Sequence, residues 1–403
     1  MKAKWMMPTI MLMGMAMLLT SCWNMRSLKD LAIIVVMGID KAPKNNEYQV
    51  SFQIVNTEAV APGAKGGGGN VTPVTVYSGT GNTLFEAIRK SSQKVPRRLF
   101  FAHVQMLIIG ESFAKEGINE LFDFFERSHE LRLTSTILVS RGVDAGTVVR
   151  ILTPLEKIPA NSIAGKLKFT SKVWSENIEV DIEDVIKAVV SKGREPVISG
   201  VSILGNTEKG RGVSNMEQTT PPATIEINGI GLFKDGKLKS WLDGREARGA
   251  VWIQNKMKST ILELDCKKKK DAIAIEIIRS QTNVEAEVQA GKPRINIHIR
   301  EEGNVGEIKC PIDLSKKEEI EKLEQAWVKE TKKEVMEAIE TAQSEKSDIF
   351  GFGEAVDRAN PKAWEKMKED WNETFAVSEV DVKVDAFIRR PGMRVNSYLS
   401  ELK

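Results

Sequence analysis

Three cysteines and three histidines carry the most versatile chemistry in this 403-residue sequence. A thiol can take an acyl chain, bind a metal or pair with a second thiol. Cys22 closes the stretch "LLTSC" directly after an apolar, Met-rich run. Lys2 and Lys4 precede that run, and residues 6–19 are apolar apart from Thr9. The run is shorter than the roughly 20 residues that span a bilayer. A positive start, a short apolar core and small residues before a cut are the anatomy of an export signal. The order Leu19-Thr20-Ser21-Cys22 resembles a bacterial lipobox. That chemistry requires a thiol: sulfur takes a diacylglyceryl group, cleavage frees the α-amine, and the amine can then be acylated. Each buried CH₂ adds roughly 0.8 kcal/mol, so several chains anchor firmly. The sequence therefore predicts a signal peptide over 1–21 and lipidation of Cys22 as S-diacylglycerol and N-acyl. The mature chain would be tethered to a membrane outside the cytoplasm.

The other candidate groups assemble no recognisable chemistry. Cys266 and Cys310 remain as an even pair, and a disulfide between them stays open, because sequence does not fix their Cα separation. Three cysteines exclude a four-cysteine zinc site. His103, His129 and His298 stand at no ligand spacing from one another or from cysteine. His103 lies in an apolar strand-like run and reads as a core histidine. No Gly-x-Ser-x-Gly elbow is present, and Glu301-Glu302 sit in a polar, turn-like context. No catalytic, metal-binding or cofactor-binding residue is predicted. Residues 63–70 are Gly-rich but lack the Gly-Lys-Ser/Thr of a phosphate loop, so they read as a hairpin connection. Arg97-Arg98 and Arg389-Arg390 with Arg394 read as solvated ends, with phospholipid headgroups or a partner as the alternative. Lys267 to Lys270 read as a solvated turn, and Phe350-Gly351-Phe352-Gly353 as a tight turn with core phenylalanines. The formal charge is +3 and falls to +1 without residues 1–21, which gives no electrostatic reason to expect nucleic acid.

The elements that must position these groups can be read from periodicity. Strands are predicted at 31–39, 48–55, 71–78, 99–109, 133–139 and 197–204. A hairpin follows at 225–233 and 238–241 around Lys234-Asp235-Gly236. Three antiparallel strands are expected at 273–279, 284–288 and 294–299. Helical spacing is expected over 83–93, from the caps Ser112 and Asp144, over 178–192, and from Asp243 with Glu246 three residues on. The longest helix is predicted over 315–344, opened by a Ser315…Glu318 capping box. Another starts at Asn360-Pro361, a cap followed by proline at the first helical position. Residues 379–389 alternate apolar with charged, which is a strand with one wet face. Residues 205–223 are polar, with glycines and Pro-Pro, and read as a loop or boundary. The predicted organisation is a signal over 1–21, an N-terminal region over 22–204 of one or two lobes, and a C-terminal domain over 224–395. The class is α+β, with mixed or antiparallel sheets packed against helices. The C-terminal lobe is expected to hold antiparallel strands and two long helices.

Four ordered stretches carry a resemblance. They are "CWNMRSLKDLAIIVVMGID", "VPRRLFFAHVQMLIIGESFAKEGINELFDFFERSHELRLTSTILVSRG", "GIGLFKDGKLKSWLDGREARGAVWIQNKMK" and "SDIFGFGEAVDRANPKAWEKMKEDWNETFAVSEVDVKVDAFIRRPGM". Together they resemble the Ger(x)C spore-germination lipoproteins, the C subunits of nutrient germinant receptors, over nearly the whole mature chain. The resemblance implies a lipid-anchored protein on the outer face of the spore inner membrane. It implies partnership with two integral-membrane subunits, A and B, in triggering germination; that the chain is not an enzyme is expected from the lack of a catalytic constellation, with an envelope enzyme as a third reading. Cys22 is the functional residue that carries over. The alternative is a lipoprotein that captures a small nutrient itself and delivers it to a membrane partner.

Overall fold

The structure, a computed structural model, describes residues 28–42, 47–60, 72–267 and 269–390. Two sheets organise an α+β fold. The first is built around β1 (Leu31–Lys41), an almost continuous apolar run because helices cover both of its faces. β2 (Tyr48–Val55) pairs antiparallel with β1, and β3 (Val74–Gly81) pairs antiparallel with β2. On its other side β1 runs parallel to β4 (Arg98–Phe100) and β5 (Met106–Gly110). β6 (Thr136–Ser140) and β7 (Val197–Gly205) continue in parallel. β8 (Ala223–Lys234) and β9 (Lys237–Leu242) finish the sheet antiparallel, making nine strands.

The expected strand 99–109 is thus two strands on one track. Ile33 faces Phe100 and Val36 faces Met106, so three extra residues bulge out between them. His103 sits on that bulge, exposed and edge-on to Phe100 at 5.5 Å, and is not the core histidine expected. The polar stretch 205–223 is a loop, but it does not separate the sheets. It joins β7 to β8, which pair with each other from Val197↔Leu232 to Gly205↔Ala223. Asn215 holds it closed: fully buried, it donates to the Leu152 carbonyl at 2.7 Å and accepts from the Ala223 N–H at 2.9 Å. The first sheet therefore extends to Leu242, and the change of sheet falls after it.

On one face of this sheet lie α1 (Leu84–Ser91), α2 (Glu111–Glu116), α3 (Asn119–Arg127) and α6 (Ile182–Val190). On the other lie α4 (Ala145–Arg150) and α5 (Pro159–Val173). The single helix expected from Ser112 is broken into α2 and α3 at Gly117, whose φ of +139° stops a right-handed helix.

The second sheet holds β10 (Ile261–Cys266), β11 (Lys269–Gln289), β12 (Lys292–Ile308) and β13 (Glu379–Arg390). Two of the strands expected apart, 273–279 and 284–288, are one 21-residue strand. The polar residues between them stay extended because Thr282 is satisfied there, donating to the Trp252 carbonyl at 2.6 Å. β13 lies parallel to β12, where an antiparallel partner was expected. The helices between these strands carry the chain back along the sheet before it re-enters, which is the connection a parallel pair needs.

α8 (Lys317–Ser344) packs Leu323, Trp327, Val335 and Ile339 onto this sheet. α7 (Gly244–Ile253) lies against α8 so closely that a Cβ on Gly249 would meet the Glu334 carbonyl oxygen at 2.2 Å. The second long helix is instead three short ones, α9 (Phe352–Ala359), α10 (Pro361–Met367) and α11 (Trp371–Ala376). Asn360 caps α10 as expected, accepting from the Ala363 N–H at 3.1 Å. The caps expected at Ser315 and Asp243 do not form. Ser315 turns back to Asp313 at 2.6 Å, and Asp243 is held by both arms of Arg141 at 2.6 and 2.7 Å. Cys266 and Cys310 form a disulfide, Cα atoms 6.4 Å apart, which ties the end of β10 to the chain after β12.

Candidate functional site

A broad concavity opens beside the start of β1. It is a groove of about 820 Å³ between α1, β4 and the end of α3. Thr83 starts α1, accepting from the Glu86 N–H at 3.1 Å. Leu84, Ala87, Ile88 and Ser91 face inward, as the spacing predicted, and this leaves Phe85 and Arg89 on the outer face. Phe85 is 56% exposed, with the Arg89 guanidinium stacked over its ring at 4.9 Å. β4 places Arg98, and Arg97 just before it, on the rim, both exposed. Leu31↔Arg98 is the first pair between β1 and β4, so these arginines stand beside the point where the chain enters the fold. Across the groove, α3 contributes Asp123, Phe124 and Arg127, and the turn after it contributes His129, Glu130 and Leu131.

The floor is apolar (Ile88, Leu99, Phe101, Leu131) and the rim is basic. Arg98 pairs with Glu130 at 2.8 Å, and Arg127 with Asp123 at 2.8 Å. The Arg127 hydrogen bond holds the Asp123 carboxyl below its usual range. Arg89 and Arg97 have no ion pair among the described residues. Residues 84–98 carry five basic side chains and one acid, a net +4, more than the +3 of the whole chain. That local excess was the legible sign of the groove. The other sign was Phe85, out of phase with the buried stripe of α1.

The carboxyls that burial pushes upward lie away from this groove. Asp40, at the end of β1, accepts from the Ala145 and Gly146 N–H groups at 2.8 and 2.9 Å and so caps α4. Asp348 is fully buried and raised to about 6 by desolvation, and its oxygens accept from the N–H groups of Phe350, Gly351, Phe352 and Gly353. It thus shapes the Phe-Gly-Phe-Gly turn, whose Phe352 is fully buried as expected. Glu195 is raised to about 7 by burial and lines a polar cleft of about 310 Å³ with Arg194, Asp235 and Asn372. Glu301 is not in a turn: it lies mid-β12, fully buried, and accepts from the Thr331 hydroxyl at 2.7 Å. Desolvation pushes it up to about 8. Its neighbour Glu302 pairs with Arg389 at 2.7 Å, which places Arg389 in an ordinary surface ion pair. They fall into two neighbourhoods besides Asp40: the Glu195 N–H donates to the Asp348 carbonyl at 2.7 Å, and the charge of Glu334 on α8 adds to the upward shift of Glu301.

Cys22, Arg394, Lys268 and the glycine-rich loop 63–70 lie outside the described residues. Among the described residues, no group of three or more His, Cys, Asp or Glu side chains is placed to hold a metal. No described helix is long and apolar enough to cross a membrane.

Known proteins match this chain along its whole length. The family described as "Spore germination protein N-terminal domain" matches residues 24–203. The family described as "Spore germination B3/ GerAC like, C-terminal" matches residues 228–392. The chain belongs to the Ger(x)C spore-germination family. It is 37% identical over 404 aligned positions to spore germination protein KC of Bacillus subtilis (strain 168), covering 99% of each chain. It is 24% identical over 377 positions to spore germination protein B3 of the same organism, covering 92% of this chain and 93% of that one. The crystal structure of the GerBC protein has the same fold, with a TM-score of 0.55 at 19% identity over 88% of this chain and 96% of that one. The two family matches leave residues 204–227 between them, whereas the sheets change after Leu242, so β9 and most of β8 fall within the C-terminal match yet complete the first sheet.

Proposed function

We propose that this protein is the C subunit of a spore nutrient germinant receptor, anchored through lipid on Cys22 to the outer face of the spore inner membrane. There it scaffolds two integral-membrane subunits and passes the germination signal between them. The observation that carries the reading is full-length membership of a family whose matched relatives are named spore germination proteins. The anchor accounts for the lipobox-like residues 19–22 and for a body that begins close behind them.

Leu31 lies nine residues after Cys22, and at no more than about 3.5 Å per residue the fold starts within about 30 Å of the acyl chains. In spores carrying Cys22→Ala, the protein loses acylation by mass spectrometry, leaves the membrane fraction, and the nutrient response falls. A variant that stays acylated and membrane-bound would remove the anchor reading. A variant that leaves the membrane with germination intact would remove the receptor reading.

A further inference from the structure

The groove beside β1 combines features that the receptor reading leaves unused. We propose that it is a membrane-seating surface. In this role Arg89 and Arg97 contact the phosphates of anionic phospholipids while Phe85 enters the headgroup boundary. The proposal rests on the anchored reading for its geometry. Arg98 lies opposite Leu31, so the groove stands beside the first residue of β1, nine residues after Cys22 in sequence. A tether of at most about 30 Å keeps that residue near the bilayer.

Charge complementarity argues for lipid. Residues 84–98 hold a net +4 on a chain that is otherwise near neutral. Arg89 and Arg97 have no ion pair among the described residues. The Arg98–Glu130 and Arg127–Asp123 pairs are exposed and so weak, and phosphate oxygens can replace those carboxylates at little cost. Asp123 and Glu130 are the acids that line the groove, and both are already engaged. An exposed aromatic ring with arginine one turn later on the same helix face suits the interface, where the ring sits at headgroup level and guanidinium reaches phosphate. Because the lipid chains already hold the protein at the surface, a modest affinity suffices to fix its orientation. That orientation would present the bilayer-embedded partners with a defined face.

The test uses residues 22–403 with Cys22→Ser so that no acyl group contributes. Cosedimentation is measured with vesicles of phosphatidylcholine alone and of phosphatidylcholine with phosphatidylglycerol. Binding is expected only to the anionic vesicles, and to weaken as salt is raised. Arg89→Glu with Arg97→Glu should weaken it by at least about 30-fold, roughly fivefold per lost arginine before the repulsion of the added carboxylates. Phe85→Ala should weaken it by a smaller factor, and Lys383→Glu on β13 should leave it unchanged. All four residues are exposed, and an unchanged melting curve excludes misfolding as the cause. Equal binding to both vesicle types, or indifference to the arginine reversals, overturns the proposal. So does a groove whose variants leave vesicle binding intact but abolish crosslinking to an acidic segment of a membrane protein. The vesicle result does not depend on Cys22, so a failed anchor and a failed seating surface remain distinguishable.

Discussion

The two sheets bury their strands in different ways. In the first, β1 and β5 are covered on both faces and read as unbroken apolar runs, Ile34 to Ile39 and Met106 to Ile109. In the second, β12 and β13 alternate, with one face under α8 and the other toward water. A sheet covered on both faces has little room for charge, and its ionisable groups gather at strand ends, as Asp40 does. A sheet with one covered face tolerates charge, but a charged residue in the covered register becomes a liability that must be held. Glu301 is that residue. Glu334 on α8 is a second buried acid; burial pushes its carboxyl upward against the pull of Arg248. Arg248 on α7 meets Glu334 at 2.5 Å and Glu176 at 2.8 Å, so one guanidinium joins α7 and α8 to the turn after α5. The first sheet is held mainly by packing, and the second adds an ion cluster and a disulfide.

The largest expected effect concerns where the first sheet ends. A fragment of residues 22–205 stops just past the N-terminal family match and leaves β7 without β8, exposing Ile198 and Val201 along a bare edge. It should show no cooperative melting transition and should aggregate, whereas residues 22–243 should melt cooperatively. If both fragments behave alike, the nine-strand sheet is not the folding unit.

Breaking the ion cluster comes next. Arg248→Met leaves Glu334, with a side chain 1% exposed, without its cation, and should cost about 3–5 kcal/mol in denaturant titration. A loss below about 1 kcal/mol would show that packing, not the cluster, holds α7 to α8.

Opening the disulfide follows. Cys266 and Cys310 close a separation of 44 residues, and Cys310→Ser should lower stability by about 3 kcal/mol, with amide exchange rising first in β10. Equal loss of protection in β1 and β5 would mean that the two sheets unfold as one.

The last effect is a pH dependence. Glu301 has its carboxyl raised from 4.5 to about 8, so the folded state holds a proton that the unfolded state releases. Its contribution is complete below about pH 4.5, declines as pH rises, and is lost through pH 8. Glu301→Gln keeps the neutral shape and should be more stable than the native chain above pH 8, with the gap closing toward pH 5. Parallel stability curves for the two proteins would place the proton elsewhere.

What could be read from sequence follows the same contrast. Apolar runs such as 31–39 and the alternation in 379–389 reveal strands because burial leaves a period. The sequence does not reveal partners. Residues 225–233 are plainly a strand, yet nothing in them says that β7 lies across the polar loop, which is closed by the single buried Asn215. The direction of β13 depends on the path of three helices, and the capping boxes failed because Arg141 and Asp313 competed for their side chains. The groove was half legible: Arg97-Arg98 stood out, but only the fold brings them beside Phe85, Arg89 and the start of β1. The buried state of Glu301 was hidden because a paired acid in a polar stretch looks solvated until α8 is laid over it.

The central claim is that this chain works as the lipid-anchored member of a membrane receptor. It is tested most directly by crosslinking the native protein in membranes from dormant spores and identifying what is joined to it. The account predicts an acylated Cys22 on the recovered chain and crosslinks to two distinct proteins with several membrane spans. Recovery of an unacylated chain, or of an acylated chain joined to no membrane-spanning protein, would contradict it.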